Sequence, residues 1–183
     1  MRSTAEALAL VRAFSPTPEE EKSRELILAL LECSPTPFSR DQFEPGHITC
    51  TAAVLHPDGS RVLLMHHHRH QRWLLPGGHV EDDDVTLSHA AKREAIEETA
   101  VRIAATSAGT LAGMDVHGIP ARKREPFHLH HDLIFAFSAN SEDFALTDEA
   151  PQVAWCGLDE FARYSLPASI TRAVERAVTN KNR

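Results

Sequence analysis

Glu94, Glu97 and Glu98 stand close together in the segment Thr86 to Ala100, which reads as a helix. At ~100° per residue they fall within an arc of roughly 100°. Leu87, Ala90, Ala91 and Val101 share that stripe, while Ser88, His89, Lys92 and Thr99 lie on the other side. A solvated helix face separates acids from apolar residues. Here the acids lie within the apolar stripe, so they are expected to point toward the protein body or a cleft. Clustered carboxylates repel one another and resist desolvation. Arg93 can neutralise one of them. A hard divalent cation with oxygen ligands is the natural partner for the others. The plainer alternative is a salt-bridged surface helix, since Glu-rich helices are common.

What precedes the helix bears on that choice. Gly77-Gly78 followed by Arg93-Glu94-Ala95-Ile96-Glu97-Glu98-Thr99-Ala100-Val101 resembles the Nudix box, G-x5-E-x7-R-E-U-x-E-E-x-G-U, in which U is a bulky aliphatic residue. The match departs from that pattern in four places. Gly78 lies one residue further from Arg93 than the pattern requires. Asp84 is the best match to the first Glu. Ala95 stands where a larger aliphatic residue is usual, and Ala100 replaces the final Gly. Trp73 to Glu81 resembles a Nudix subgroup with a Pro-Gly-Gly-His segment. Asp115-Val116-His117, Pro120 to Lys123 and His128 to Asp132 are similar to later segments of that subgroup, as is the N-terminal helical extension.

The resemblance implies a Nudix-type α/β/α sandwich with a central mixed β-sheet. It also implies metal-dependent hydrolysis of a diphosphate linkage in a small phosphorylated substrate of the nucleoside diphosphate-X type. Carried over residue by residue, Glu97 and Glu98 would bind metal. Glu94 would be a further ligand or would orient the attacking water, and Arg93 would orient the carboxylates. The carbonyl of Gly77 or Gly78, with Gly78 favoured, would complete the coordination. The implied cofactor is Mg²⁺ or Mn²⁺, which withdraws charge from phosphate oxygens and bound water. Many members add a Glu from a distant loop, and Glu149 is the candidate here.

Other residues could meet the substrate. On a strand, His128, His130 and Asp132 would share one face, with Leu129, Leu133, Phe135 and Phe137 on the other. That polar face could contact phosphate or a metal, or simply be solvated. His79, directly after Gly78, is placed to touch phosphate or shape the loop. Arg122, Lys123 and Arg124 form the one compact basic run and could attract phosphates. Trp73 could stack on a flat group or wall the cleft. His66, His67, His68 and His70 read as strand-end histidines, although imidazoles there could also hold a transition metal.

The elements that must position these groups follow from patterning. Ala5 to Phe14 reads as a short helix. Thr17-Pro18-Glu19-Glu20-Glu21 resembles an N-cap and first turn leading into a second helix, which Ser34-Pro35 ends. Ile48 to Leu55 and Arg61 to His67 read as a hairpin about Pro57-Asp58-Gly59-Ser60. Leu74 to Gly78 reads as a break. Further strands are expected at Ile103 to Leu111, His128 to Ser138 and Val153 to Gly157, and helices at Leu158 to Tyr164 and Pro167 to Thr179. Strands flanked by helices indicate a layered α/β sandwich around a mixed sheet. The expected division is a helical extension over 1–46, acting in packing or self-association, and a Nudix hydrolase domain over 47–183.

The chain has 183 residues, enough for one domain with an extension. Its formal charge of −7 argues against a nucleic-acid polymer as partner, but not against a small anionic diphosphate. No apolar run approaches the ~20 residues of a membrane span, and Met1 to Ala13 lacks the features of a signal peptide. A cytoplasmic location is the expectation, and a homodimer is compatible with it. Cys33, Cys50 and Cys156 are scattered and read as reduced structural thiols. Two other functions stay in play. One is a non-catalytic Nudix-fold binding or regulatory module, which inward glutamates argue against. The other is an isopentenyl-diphosphate-isomerase-like enzyme, for which Cys50 would have to be the catalytic thiol.

Overall fold

The computed structural model describes residues 3–68, 71–123 and 125–181. His70 and Arg124, counted above among the strand-end histidines and the basic run, lie outside the described residues.

Helix α1 (Thr4–Ala13) opens on a capping box that the sequence reading had not anticipated. The Glu6 N–H donates to the Ser3 hydroxyl, and the Glu6 carboxylate accepts the Ser3 N–H. Helix α2 (Glu21–Cys33) buries Ile27, Leu30 and Leu31. It does not start from Thr17 as expected. Glu20 and Glu21 both donate their N–H to the Thr17 carbonyl in a turn, and the helix begins after it. The Glu20 carboxylate accepts from Arg176 at 2.6 Å and from the Thr17 N–H at 2.8 Å, so this acid is a buried ion-pair partner rather than a first-turn solvent group.

Strands β1 (Gly46–Leu55) and β2 (Arg61–His67) form the expected hairpin, with Asp58 accepting from the Ser60 N–H and hydroxyl in the turn. Leu74 to Gly78 is more regular than expected. Two short strands flank Leu75-Pro76: β3 (Arg72–Leu74) pairs with β2, and β4 (Gly77–His79) pairs with β1, where its glycine backbones can lie close. Helix α3 (Leu87–Thr99) follows. The strand expected at Ile103 to Leu111 is displaced. Ile103 makes only an isolated bridge to Ala139, Ser107 closes a turn on Ala104, and Gly109 takes φ +82. Strand β5 therefore runs over Thr110–Ile119 and carries Asp115 and His117. Strands β6 (His128–Ser138) and β7 (Gln152–Gly157), a 3₁₀ turn (Leu158–Glu160) and helices α4 (Phe161–Tyr164) and α5 (Ala168–Lys181) complete the chain.

Among the described residues the strands form one mixed sheet with the path β3-β2-β1-β6-β5; β4 adds to β1 and β7 to β2. Strand β1 pairs in parallel with β6 over its whole length, from Gly46 opposite Leu129 to Leu55 opposite Ser138, and the other pairings are antiparallel. One face carries Ile48, Cys50, Ala52, Val54, Leu133, Phe135 and Phe137, packed in a single core cluster with α1, α2 and α3. The other carries Ala53, Leu55, Leu64 and Ile134, packed with α4 and α5 through Phe161, Ile170 and Val174. The result is the expected α/β arrangement of helices on both faces of a mixed sheet. Strand β6 departs from simple alternation. From Leu133 to Phe135 successive residues are all buried, because helices cover both of its faces.

Candidate functional site

Helix α3 is held at both ends. Thr86 is its N-cap, accepting the His89 N–H, and Ala100 closes it in the left-handed region at φ 52. Its buried stripe is Leu87, Ala90, Ala91, Ala95, Glu98 and Thr99. Thr99 belongs to this inner side and not to the outer one expected from the sequence; its hydroxyl satisfies itself on the Ala95 carbonyl.

The three glutamates separate by depth. Glu98 is 4% exposed and accepts the Gly77 N–H at 2.9 Å. The Glu94 side chain is largely buried, whereas that of Glu97 is 59% exposed and forms the outer rim. The expectation of three inward acids is therefore met by two. Burial pushes the Glu94 carboxyl above its ordinary value. It pushes Glu98 further, to about 8, with the charges of Glu94, Glu149 and Glu97 adding to the effect. Desolvation beside like charges favours the protonated, neutral form of a carboxyl.

Arg93 ties the group together. Its Nη1 donates to Glu94 at 2.9 Å and to Glu97 at 3.0 Å, and its Nη2 donates to the His79 carbonyl at 2.9 Å. Nε and Nη2 also grip Asp84 at 3.2 and 3.0 Å. Asp84 is buried and further bonded by the Glu81 N–H and by His89. Burial alone would raise its carboxyl, but these donors outweigh burial and hold it below the usual range. Asp84 thus meets Arg93 despite its irregular spacing from the helix. Gly78 lies directly against this acid group: a Cβ there would sit 2.7 Å from Glu94 Oε1. Arg93 is one guanidinium shared by Asp84, Glu94 and Glu97, so oxygen donors outnumber positive charge beside this glycine backbone, an arrangement that suits a hard divalent cation.

Strand β4 changes face after Gly78. His79 pairs with Thr49 of β1 and turns its ring to the opposite side of the sheet. There it meets a group of imidazoles. His79 lies 5.0 Å from His47 and 5.3 Å from His130 between ring centroids, and His130 lies 5.3 Å from His128 and 5.6 Å from His117. Burial and the neighbouring imidazoles hold His130 down at about 2, and burial lowers His47. His117 is raised instead, because Asp115 accepts from it at 2.9 Å. Asp132 is buried beneath, accepting from the Thr49 hydroxyl at 3.0 Å.

The remaining residues named from the sequence are more scattered. Glu149 is exposed in the loop before β7, and its charge reaches Glu98. Trp73 packs edge-on against Tyr164 and His66 beside the second core cluster. Arg122 is exposed in the turn between β5 and β6, its backbone bridging to Glu125. Cys50 faces the acid side, opposite Gly78 in the β1–β4 register, but is fully buried, and burial raises its thiol well above the ordinary value. A thiol so placed is an inert core group. Sequence reading missed His47. Its meeting with His130 depends on the parallel β1–β6 register, which carries no local signal.

The NUDIX domain model matches residues 46–177. The chain belongs to the Nudix hydrolase family. No curated protein matches it in sequence. Among solved structures, it resembles the E. coli dihydroneopterin triphosphate pyrophosphohydrolase at 22% identity and a TM-score of 0.58, over 73% of this chain and 95% of that one. It resembles a Nudix-family hydrolase from Clostridium perfringens at 17% identity and a TM-score of 0.58, over 74% and 97%. A MutT protein from Methanosarcina mazei Go1 matches at 23% identity and a TM-score of 0.51, over 74% and 94%. Among the described residues, no helix is long and apolar enough to cross a membrane.

Proposed function

We propose that this protein hydrolyses a diphosphate linkage in a small phosphorylated substrate of the nucleoside diphosphate-X type, with Mg²⁺ or Mn²⁺ as cofactor. Glu94, Glu97, Glu98 and the Gly78 carbonyl would hold the cation. When bound, it withdraws charge from phosphate oxygens and lowers the pKa of coordinated water.

The chain's own groups do the rest by positioning. Arg93 fixes the direction of Glu94 and Glu97 and is itself fixed by Asp84 and the His79 carbonyl. Glu98 is steadied by the Gly77 N–H. Glu149 is the proposed acceptor of the attacking water's proton, since it is exposed yet near enough for its charge to raise Glu98. Trp73 and Arg122 are proposed outlying substrate contacts, whereas His79, His128 and His130, expected from the sequence to meet substrate, turn to the opposite side of the sheet from the glutamates and stay outside the proposed diphosphate cleft. The chain fits the subgroup with a Pro-Gly-Gly-His segment. We take 1–46 as an extension docked on a catalytic domain of 47–183, acting in the cytoplasm.

The observation that carries this reading is the pair Glu94 and Glu98, desolvated against the Gly77-Gly78 backbone with raised carboxyl values. The test is product release from a panel of nucleoside diphosphate derivatives with Mg²⁺ or Mn²⁺. Turnover should fall by roughly 100-fold or more in Glu98→Gln. Undiminished turnover in both Glu97→Gln and Glu98→Gln would overturn the assigned site. Tight binding of a ligand without turnover would point to the non-catalytic module.

A further inference from the structure

We propose that His47, His79 and His130 form a transition-metal site, distinct from the carboxylate site and on the opposite face of the sheet, selective for a borderline divalent cation such as Zn²⁺.

One ring nitrogen from each of these residues lies within 4.8 Å of the other two. Tetrahedral coordination at ~2.05 Å per Zn–N bond brings ligand nitrogens to about 3.3 Å from one another. The remaining closure is small, and the broad χ2 wells of histidine allow it for His79 and His130, which are only half-buried. That partial exposure also leaves an entry path for the ion.

The buried member supplies the second observation. His47 is 1% exposed. Its Nδ1 lies 3.0 Å from the Gln42 carbonyl, which makes that nitrogen the donor and leaves the lone pair on Nε2. Among the described residues, Nε2 has no hydrogen-bonding partner. A buried acceptor left unmatched is costly to the fold. This is also the arrangement of a metal-bound histidine: one ring nitrogen is anchored on a backbone carbonyl and the other carries the lone pair that can ligate. His128 repeats the pattern beside it, with Nδ1 2.8 Å from the Pro126 carbonyl and its ring stacked on His47 at 5.1 Å.

The backbone explains why the three converge. Parallel pairing sets His47 opposite His130, and antiparallel pairing sets His79 opposite Thr49, two residues along the same face of β1. Imidazole nitrogen is a soft enough donor to favour Zn²⁺, Co²⁺ or Ni²⁺ over Mg²⁺. The glutamates across β4 are hard oxygen donors that suit Mg²⁺ or Mn²⁺. The two sites therefore sort cations by chemistry, one strand apart. Three protein ligands leave a fourth position for water or another oxygen ligand.

The experiment is a Co²⁺ titration of the chelator-stripped full chain in excess Mg²⁺, followed by visible absorption and then by Zn²⁺ displacement. The expected result is one equivalent of Co²⁺ with d–d bands of a nitrogen-ligated, low-coordinate ion, retained in Glu98→Gln. His130→Ala and His79→Ala should each weaken binding more than about tenfold. Histidine ¹⁵N resonances of the unsubstituted protein should shift on Zn²⁺ addition at His47, His79 and His130, a readout independent of how the variants fold. Absence of the bands, their survival in both histidine variants, or unmoved histidine resonances would overturn the proposal. So would loss of the bands in Glu98→Gln alone.

Discussion

With the Glu98 carboxyl at about 8, binding of the proposed cation would be coupled to release of a proton. The sign of the stability effect follows from the same value. The unfolded chain titrates this group near 4.5, so between 4.5 and about 8 the folded, cation-free protein binds the extra proton. Stability without cation therefore falls as pH rises through that window. Thermal melts of chelated protein at about pH 6 and about pH 9 should show the lower midpoint at the higher pH, with the slope reduced in Glu98→Gln. Gly78 makes a separate demand. A methyl there would overlap the Glu94 carboxylate, which stands at the end of a flexible side chain and can move aside. Gly78→Ala should therefore melt almost normally while kcat falls by roughly 10- to 100-fold, since a displacement near 1 Å can cost that much. An equal loss of folding and activity would show the glycine to be structural only.

At the scale of elements, α3 carries the acids and its ends can be adjusted separately. Thr86→Ala removes the hydroxyl that accepts the His89 N–H and should cost about 1 kcal/mol. Ala100 holds a left-handed conformation that glycine tolerates better, so Ala100→Gly should gain up to about 1 kcal/mol. Denaturant midpoints measured side by side would check both signs. This helix was also the most legible part of the sequence, because its span and acid spacing are local, although its caps and the inward side of Thr99 went unread. Strand β1 was legible as a β-branched and apolar run, β2 as its return after the Pro57 to Ser60 turn, and β6 through alternation of its side chains. Three things were not. Gly77 to His79 pairs as a strand only because β1 lies alongside. Strand β5 begins at Thr110 because a turn at Ala104 to Ser107 precedes it. Glu97 points outward although its arc position resembles that of its neighbours, because the Gly77-Gly78 backbone covers only Glu94 and Glu98.

Across the whole molecule, Glu20 and Arg176 join the start of α2 to α5 around the β5 edge, with Arg176 also capping the Ala112 carbonyl and stacking on Phe14. Burial opposes the charge on Glu20, but the Arg176 and Thr17 donors prevail and its carboxyl is lowered. A lowered folded value means this stabilisation is present above about 4.5 and is lost as pH falls through the folded value. Glu20→Gln leaves Arg176 half-satisfied and should destabilise by about 3 kcal/mol, an effect that fades in acid melts. A variant as stable as the parent at neutral pH would contradict the clasp. The parallel pairing of β1 with β6 has a different consequence. Thr49 and Asp132, bonded across it, are 83 positions apart. Closing so long a loop is entropically costly, and contacts of that separation form slowly. A chain emerging from the ribosome cannot assemble the imidazole group until β6 has been synthesised and has zipped onto β1, so the histidine side of the protein matures after the hairpin and the acidic helix.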